Sequence, residues 1–322
     1  MDKKYVIIVL VGLIALLMIG SVSAGIFEFK GEGEDTIRIG YLPSDHDAAL
    51  FVADAKGYYE KEGITLDLVK YNNGNDLMKG MKDGEIDIGY VGIAPALYYI
   101  GNGGTAKIIS SAQNEGSGLV VNPNSGIYSA SDLSGKSIAI PGEGSIQELL
   151  LSYYLKENGL SNKDLKISTN KASSMNDALN NNEIDGAMTF QPYVTIGVSN
   201  GNTLLVNSSE ILPNHPCCVV VASDDFIQNH GDQVEKVISI HKQATKFIND
   251  NIKNGKTNDI VGLLPDDIVS DAELEATSLE SFPFTSGMSG NFKSNVITFQ
   301  QLEVAMGAIK DPLTQEQLFW EA

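Results

Sequence analysis

Cysteine is nearly absent from this chain of 322 residues: it has two, Cys217 and Cys218, adjacent to each other. Neighbouring α-carbons lie about 3.8 Å apart across a trans peptide, below the usual disulfide span of about 4.4–6.8 Å. Two free thiols are expected, and no disulfide staple. Arginine is scarcer still, with Arg38 alone, which almost removes the bidentate clamp commonly used on carboxylates, phosphates and sulfonates. Acidic residues outnumber basic ones 41 to 22, for a net charge of -19. A nucleic-acid partner is excluded on that balance, because phosphates must be met by clustered Lys and Arg. No phosphate loop, dinucleotide fingerprint, HExxH stretch or nucleophile elbow occurs, and the four histidines and two cysteines have no standard zinc spacing. No catalytic residue, metal centre or cofactor is therefore expected.

What is present belongs to a folded globular protein, 43% hydrophobic and 20% charged, long enough for two lobes. The N-terminus, "MDKKYVIIVLVGLIALLMIGSVSAG", places Lys3 and Lys4 before an apolar run from Tyr5 to Ile19, with Val22 and Ala24 spaced as a signal-peptidase site. Residues 1–24 are expected to be an export signal cleaved after Ala24, or else a membrane anchor. Either way the body would lie outside the cytoplasm. Residues 25–36 are polar and Gly-rich and read as a tether. No cysteine stands near the cleavage site to carry a lipid.

From residue 37 short β-rich runs alternate with amphipathic stretches, the pattern of α/β layers on largely parallel sheets. The order "IRIGYLP", helix, "ITLDLVKY", helix, "IDIGYVG" returns as "SIAIPGEGS", helix, "LKISTN", helix, "IDGAMTF". Pro43 and Pro141 are 98 residues apart, as are Glu85 and Glu183. A unit that returns only once is no solenoid, so two similar α/β lobes are expected. The Val-rich runs near 118–123 and 217–223 read as crossover strands. Lobe one would then comprise 37–117 and 224–322, lobe two 118–223, and the pair of crossovers a hinge.

Ligands in open α/β sheets bind beyond the carboxyl ends of strands, where loops enter helix N-termini. Four such loops are legible: 43–46, 92–95, 142–145 and 190–192. Asp45 and Glu143 hold equivalent places in the repeat, so a carboxylate could project from each wall. Charge at a helix N-terminus is the plainer explanation of both, and it stabilises by roughly 0.3–1 kcal/mol.

The segments "IGYLPSDHDAALFVADAKGYYEKEGITLDLV", "GEIDIGYVGIAPALYYIGNG", "DLSGKSIAIPGEGS" and "NEIDGAMTFQPYV" resemble extracytoplasmic substrate-binding proteins of ABC importers, in the nitrate, taurine and alkanesulfonate branch. The resemblance implies a periplasmic-binding-protein type II fold that closes on a small solute, with a membrane permease and ATPase as partners and the chain itself a monomer. Mapped by similarity, ligand contacts fall on Ser44, Asp45 and His46, on Gly92, Ile93 and Ala94, and on Glu143, Gly144 and Ser145. Gln191 and Pro192 stand where relatives often carry an acidic residue before the proline, which leaves the solute open between an anion and an amine or heterocycle. The alternative on the same fold is a pyrimidine-precursor synthase of thiamine biosynthesis, for which the resemblance implies His and Cys near the cleft with iron. The export signal and the bare cysteine pair count against it. A tethered solute receptor is a third reading.

The stretch "HPCC" precedes the second Val-rich run and is expected at the cleft edge. Alternation along an extended strand puts His215 and Cys217 on one face, toward the cleft, and Cys218 on the other, packed into a lobe. Two protein ligands make a weak metal site unless His46 joins from across the cleft.

Overall fold

The computed structural model describes residues 36–321. The expected signal segment and nearly all of the tether lie outside those residues. Eleven strands are present among the described residues: β1 (Thr36–Tyr41), β2 (Thr65–Lys70), β3 (Ile88–Gly92), β4 (Ala106–Asn114), β5 (Ser117–Val121), β6 (Ser137–Ile140), β7 (Lys166–Thr169), β8 (Gly186–Phe190), β9 (Thr203–Asn207), β10 (Pro216–Ser223) and β11 (Phe284–Gly287). Helices of seven or more residues are α1 (Ala48–Ala55), α2 (Gly74–Lys82), α3 (Ile93–Gly101), α4 (Ile146–Glu157), α5 (Ala172–Asn180), α6 (Tyr193–Ser199), α7 (Gly231–Lys253), α8 (Ala272–Leu279) and α9 (Gly290–Ala305).

The strands form two sheets, ordered β11-β4-β10-β3-β1-β2 and β7-β6-β8-β5-β9. In each, three parallel strands (β2-β1-β3 and β7-β6-β8) are followed by an antiparallel one, β10 in the first sheet and β5 in the second. The sequence repeat is thus a repeat of topology, although the sheets are mixed rather than largely parallel. Both belong to one compact unit.

Neither Val-rich run is a crossover: residues 118–121 lie in β5, between β8 and β9 of the second sheet, and the second run differs as well. Residues 217–223 are not part of lobe two: β10 sits inside the first sheet, antiparallel to both β3 and β4. The chain enters the second sheet through Glu115 and Gly116 and leaves it through residues 208–215, which include a short helix Ser208–Ile211. The reason lies in the Val run itself. Val219, Val220, Val221 and Ala222 are all buried, and a continuous apolar stretch needs cover on both faces, which an interior strand has and a linker lacks.

Most of the tail completes the first lobe. On α7, Val234, Val237, Ile240, His241, Ala244 and Ile248 make the buried stripe, spaced three and four apart as a core-facing helix requires, and it packs on α1, β4 and β11. The helix α8 instead abuts α6 of the second lobe, so the tail also touches the far side of the cleft. No helix among the described residues is long and apolar enough to cross a membrane.

Candidate functional site

A cavity of about 70 Å³ lies between the lobes. The first lobe lines it with Leu42, Ser44, His46, Asp47, Asn72–Asn75, Gly92, Pro95, Cys217 and Cys218, and the second with Pro141–Gln147, Ala172 and Phe190. Three helix starts converge there. Asn73 caps α2, its side chain accepting from Asp76 N at 2.9 Å, and Ser145 caps α4, accepting from Glu148 N at 3.2 Å. Gly92 begins α3 with no side-chain cap, leaving that helix end open to the cleft. A Cβ on Gly92 would stand 3.0 Å from Ile146 Cδ1, so glycine here permits the close approach of the two walls.

Hydrogen bonds span the cleft. Asn75 Nδ2 donates to the Glu143 carbonyl at 2.8 Å, and Ser44 Oγ to the Gln191 carbonyl at 3.0 Å. Gln191 Nε2 donates to Ser281 Oγ at 2.9 Å just beyond α8. These contacts describe a closed arrangement.

On the floor, His46 Nδ1 lies 3.8 Å from Cys217 Sγ and 3.7 Å from Cys218 Sγ, and the two sulfurs are 4.0 Å apart. All three residues are buried, and they are the group among the described residues whose donor atoms could hold a metal ion. Phe282 meets the imidazole edge-on at 4.8 Å, and Phe190 lies against it at 5.7 Å. Burial pushes the Cys217 thiol up, but the hydrogen bond from Cys218 and the charge of His46 outweigh it, leaving the thiol well below its ordinary value. Burial likewise opposes charge on His46, and the facing Cys217 overcomes it, so the imidazole is raised. Cys218 is held well above the ordinary thiol value, first by its hydrogen bond to Cys217 and then by burial. Of the two thiols, Cys217 is therefore the more acidic and Cys218 the less.

The sequence-derived site residues divide. Ser44, His46, Gly92, Glu143, Gly144, Ser145 and Cys217 line the cavity. Ile93 and Ala94 are buried in the first turn of α3 behind Gly92. Gln191 and Pro192 are not part of the lining; Gln191 instead bridges the lobes through Ser44 and Ser281. Asp45 turns away: its carboxylate accepts from Ser278 Oγ, and burial first, then the Asp45 charge, pushes the nearby Glu275 up to about 9. Asp47, one residue past His46, lines the cavity in its place, and burial pushes it up to about 8.

His215 and Cys218 exchange the roles expected of them. His215 is buried against Phe299 of α9, its Nδ1 3.1 Å from the Pro216 carbonyl, while Cys218 faces the cavity beside Cys217. Strict alternation fails because the β10–β4 register shifts between Pro216 and Cys218 and again between Cys218 and Val219. A bulge inserts a residue and turns neighbouring side chains toward one face. His46 does join the cysteines, but from the same lobe and not from across the cleft. The thiols are free, as expected. The Asn72–Asn75 loop was missed, although it follows the carboxyl end of β2 and the rule that found the other loops applies to it equally. Phe190 ends β8 and opens the expected 190–192 loop, and of that loop it is the residue that lines the cavity.

Two lobes with this strand order and an interlobe cleft define the class: a periplasmic-binding-protein type II fold. The NMT1-like family model matches residues 30–264, and the chain belongs to that family. A candidate binding protein of Brucella abortus is 25% identical over 215 residues, 66% of each chain, so this chain spans slightly under two thirds of that relative's length. A candidate aliphatic sulfonates-binding protein of Bacillus subtilis is 28% identical over 244 residues, 72% of each. A 4-amino-5-hydroxymethyl-2-methylpyrimidine phosphate synthase of Schizosaccharomyces pombe is 27% identical over 226 residues, 64% of this chain and 63% of its own. Among solved structures, the alkanesulfonate-binding protein SsuA of Xanthomonas axonopodis pv. citri, bound to MOPS, superposes with a TM-score of 0.77 at 19% identity, covering 91% of this chain and 100% of that one.

Proposed function

We propose that this chain is the extracytoplasmic solute-binding component of an ABC importer, handing a small solute with an anionic group to a membrane permease and ATPase, and that it acts as a monomer without catalysing a reaction. The observation that carries the reading is the convergence of three helix starts, at Asn73, Gly92 and Ser145, on a cavity with no lysine or arginine in its lining. Backbone N–H groups at helix ends hold anions without a cationic side chain. That answers the scarcity of arginine, and it fits relatives named for sulfonates. Asp47 opposes it less than an exposed carboxylate would, because burial pushes its pKa up to about 8. The loops at 43–46, 72–75, 92–95 and 142–147 are read as the contacts.

A thermal-shift panel of alkanesulfonates, nitrate, pyrimidines and amino acids tests the reading. At least one sulfonate or nitrate should raise Tm with a logarithmic dependence on concentration, the native state gaining about 2.7 kcal/mol of stability at one hundred times Kd. Stabilisation by amines or pyrimidines alone would replace the anion reading, and conversion of a pyrimidine precursor would replace the binding reading with the synthase one.

A further inference from the structure

We propose that α8 is a proton-linked latch on closure of the cleft, with Glu275 taking up a proton when the lobes meet and giving it up when they part. The latch rests on the importer reading for its role, since it regulates the same cleft. By sequence α8 belongs to the tail that completes the first lobe, yet it packs on the turn Asp45–Asp47 of that lobe, on the short helix Asn258–Val261 and on α6 of the second lobe. Its buried face is Glu275, Ser278 and Leu279. A spacing of three sets Glu275 and Ser278 side by side, and the contacts of Ser278 show where that face points. Its hydroxyl donates to the Asp45 carboxylate and lies 3.1 Å from Oε1 of Gln191 in the second lobe. Gln191 Nε2 in turn donates to Ser281 Oγ, just past the helix, at 2.9 Å. The face that carries Glu275 is therefore the face that meets the other lobe.

Glu275 is only 2% exposed, and its Oε1 is buried with no hydrogen-bond partner. An ionised carboxylate held there has neither water nor a donor to offset its charge. No cation offsets it either. The Asp45–Asp47 turn brings two acids and His46, whose imidazole is turned to the cysteine sulfurs. From α6 comes Tyr193, a phenol pushed up by burial and then by the charges of Asp45 and Glu275. Asp259 of the short helix is exposed, as are Glu273 on α8 itself and Glu280 just past its end. Asp267, near Tyr193, is exposed and paired with Lys70. Parting α8 from α6 lets water reach the buried face, and Glu275 then ionises nearer its usual value of about 4.3. Its pKa is thus the higher one with the lobes together, about 9, so its support for closure is full below the open-state value and is lost as pH rises through 9. Between those values each closure takes up at most one proton, and the closed-to-open ratio changes by at most about tenfold per pH unit.

The full chain, freed of solute by dialysis from mild denaturant, is followed by small-angle X-ray scattering from about pH 6 to about pH 10, with circular dichroism to confirm that it stays folded. The radius of gyration should rise over the upper part of that range. Glu275→Gln keeps the shape and cannot ionise, so it should hold the lower value at every pH. Asp47 and Glu303 titrate in the same range, and the readout is accordingly the difference between wild type and Glu275→Gln, with Glu303→Gln expected to follow the wild type. A wild-type radius that does not change with pH, or the same rise in Glu275→Gln, would overturn the latch. Methanesulfonate is then titrated by calorimetry near pH 8.5 in Tris and in borate, whose different ionisation enthalpies count the protons exchanged. Wild type should take up a measurable fraction of a proton per methanesulfonate bound and Glu275→Gln less; equal uptake by the two would also overturn it. Failure of methanesulfonate to bind counts against the anion reading instead, and the solute-free scattering then decides the latch alone.

Discussion

Glu303 lies buried on α9 with one carboxylate oxygen lacking a hydrogen-bond partner, and burial pushes its pKa up to about 9. In the unfolded chain it returns to the usual value near 4.3. Between those values the folded state keeps a proton that the unfolded state releases, so its contribution is fully present below about pH 4.3 and is lost as pH rises through 9. Glu303→Gln keeps the shape and removes the titration. Calorimetry across pH should find the two proteins similar near pH 4 and the variant several degrees more stable at pH 9; parallel curves would contradict the burial account. His241 runs the other way. Burial pushes it down to about 4, with Nε2 2.8 Å from the Ser111 carbonyl and Nδ1 3.1 Å from the Tyr90 hydroxyl. It supports folding above about pH 6.5 and stops doing so as pH falls through 4. Single residues were also where the sequence spoke least reliably. The adjacent cysteines could be singled out by their rarity, but the direction each points depends on a register shift against β4, a property of two strands together.

The elements were more legible, because period and strand-end chemistry are local. The repeat from Pro43 to Pro141 became the matching orders β2-β1-β3-β10 and β7-β6-β8-β5. The place of β10 was not legible. A Val run shows that a strand is covered on both faces but not which sheet covers it. Gly116, in the link from β4 to β5, concentrates what the connection demands: its φ is +75°, and a Cβ there would meet the His46 ring. Gly116→Ala should therefore cost about 1–2 kcal/mol from left-handed backbone alone. It should also displace the imidazole from the two sulfurs. Denaturant unfolding checks the first effect, and a slower reaction of Cys217 with an alkylating reagent near neutral pH, as the thiol loses the imidazole that holds it down, checks the second; stability and reactivity both unchanged would contradict the packing described here.

At the scale of the whole molecule, the paired lobes were legible from the repeat and the cleft from strand-end loops, whereas the contacts that draw the walls together were not. Asn75 to Glu143 and Ser44 to Gln191 join residues 68 and 147 positions apart, distances at which no local pattern speaks. Asn75→Ala removes one of these neutral hydrogen bonds, worth about 0.5–1.5 kcal/mol, and should weaken solute binding by roughly 2–12-fold while leaving the unliganded Tm nearly unchanged. The claim underlying the whole account is that the lobes close on a small solute. Small-angle X-ray scattering tests it most directly: the chain is stripped of solute by dialysis from mild denaturant, then titrated with the members of the thermal-shift panel. The radius of gyration should fall to a plateau with at least one sulfonate or nitrate, with Asn75→Ala reaching the same plateau at higher concentration. A panel in which no member binds, or a member that raises Tm at saturation while the radius of gyration stays constant, would contradict closure.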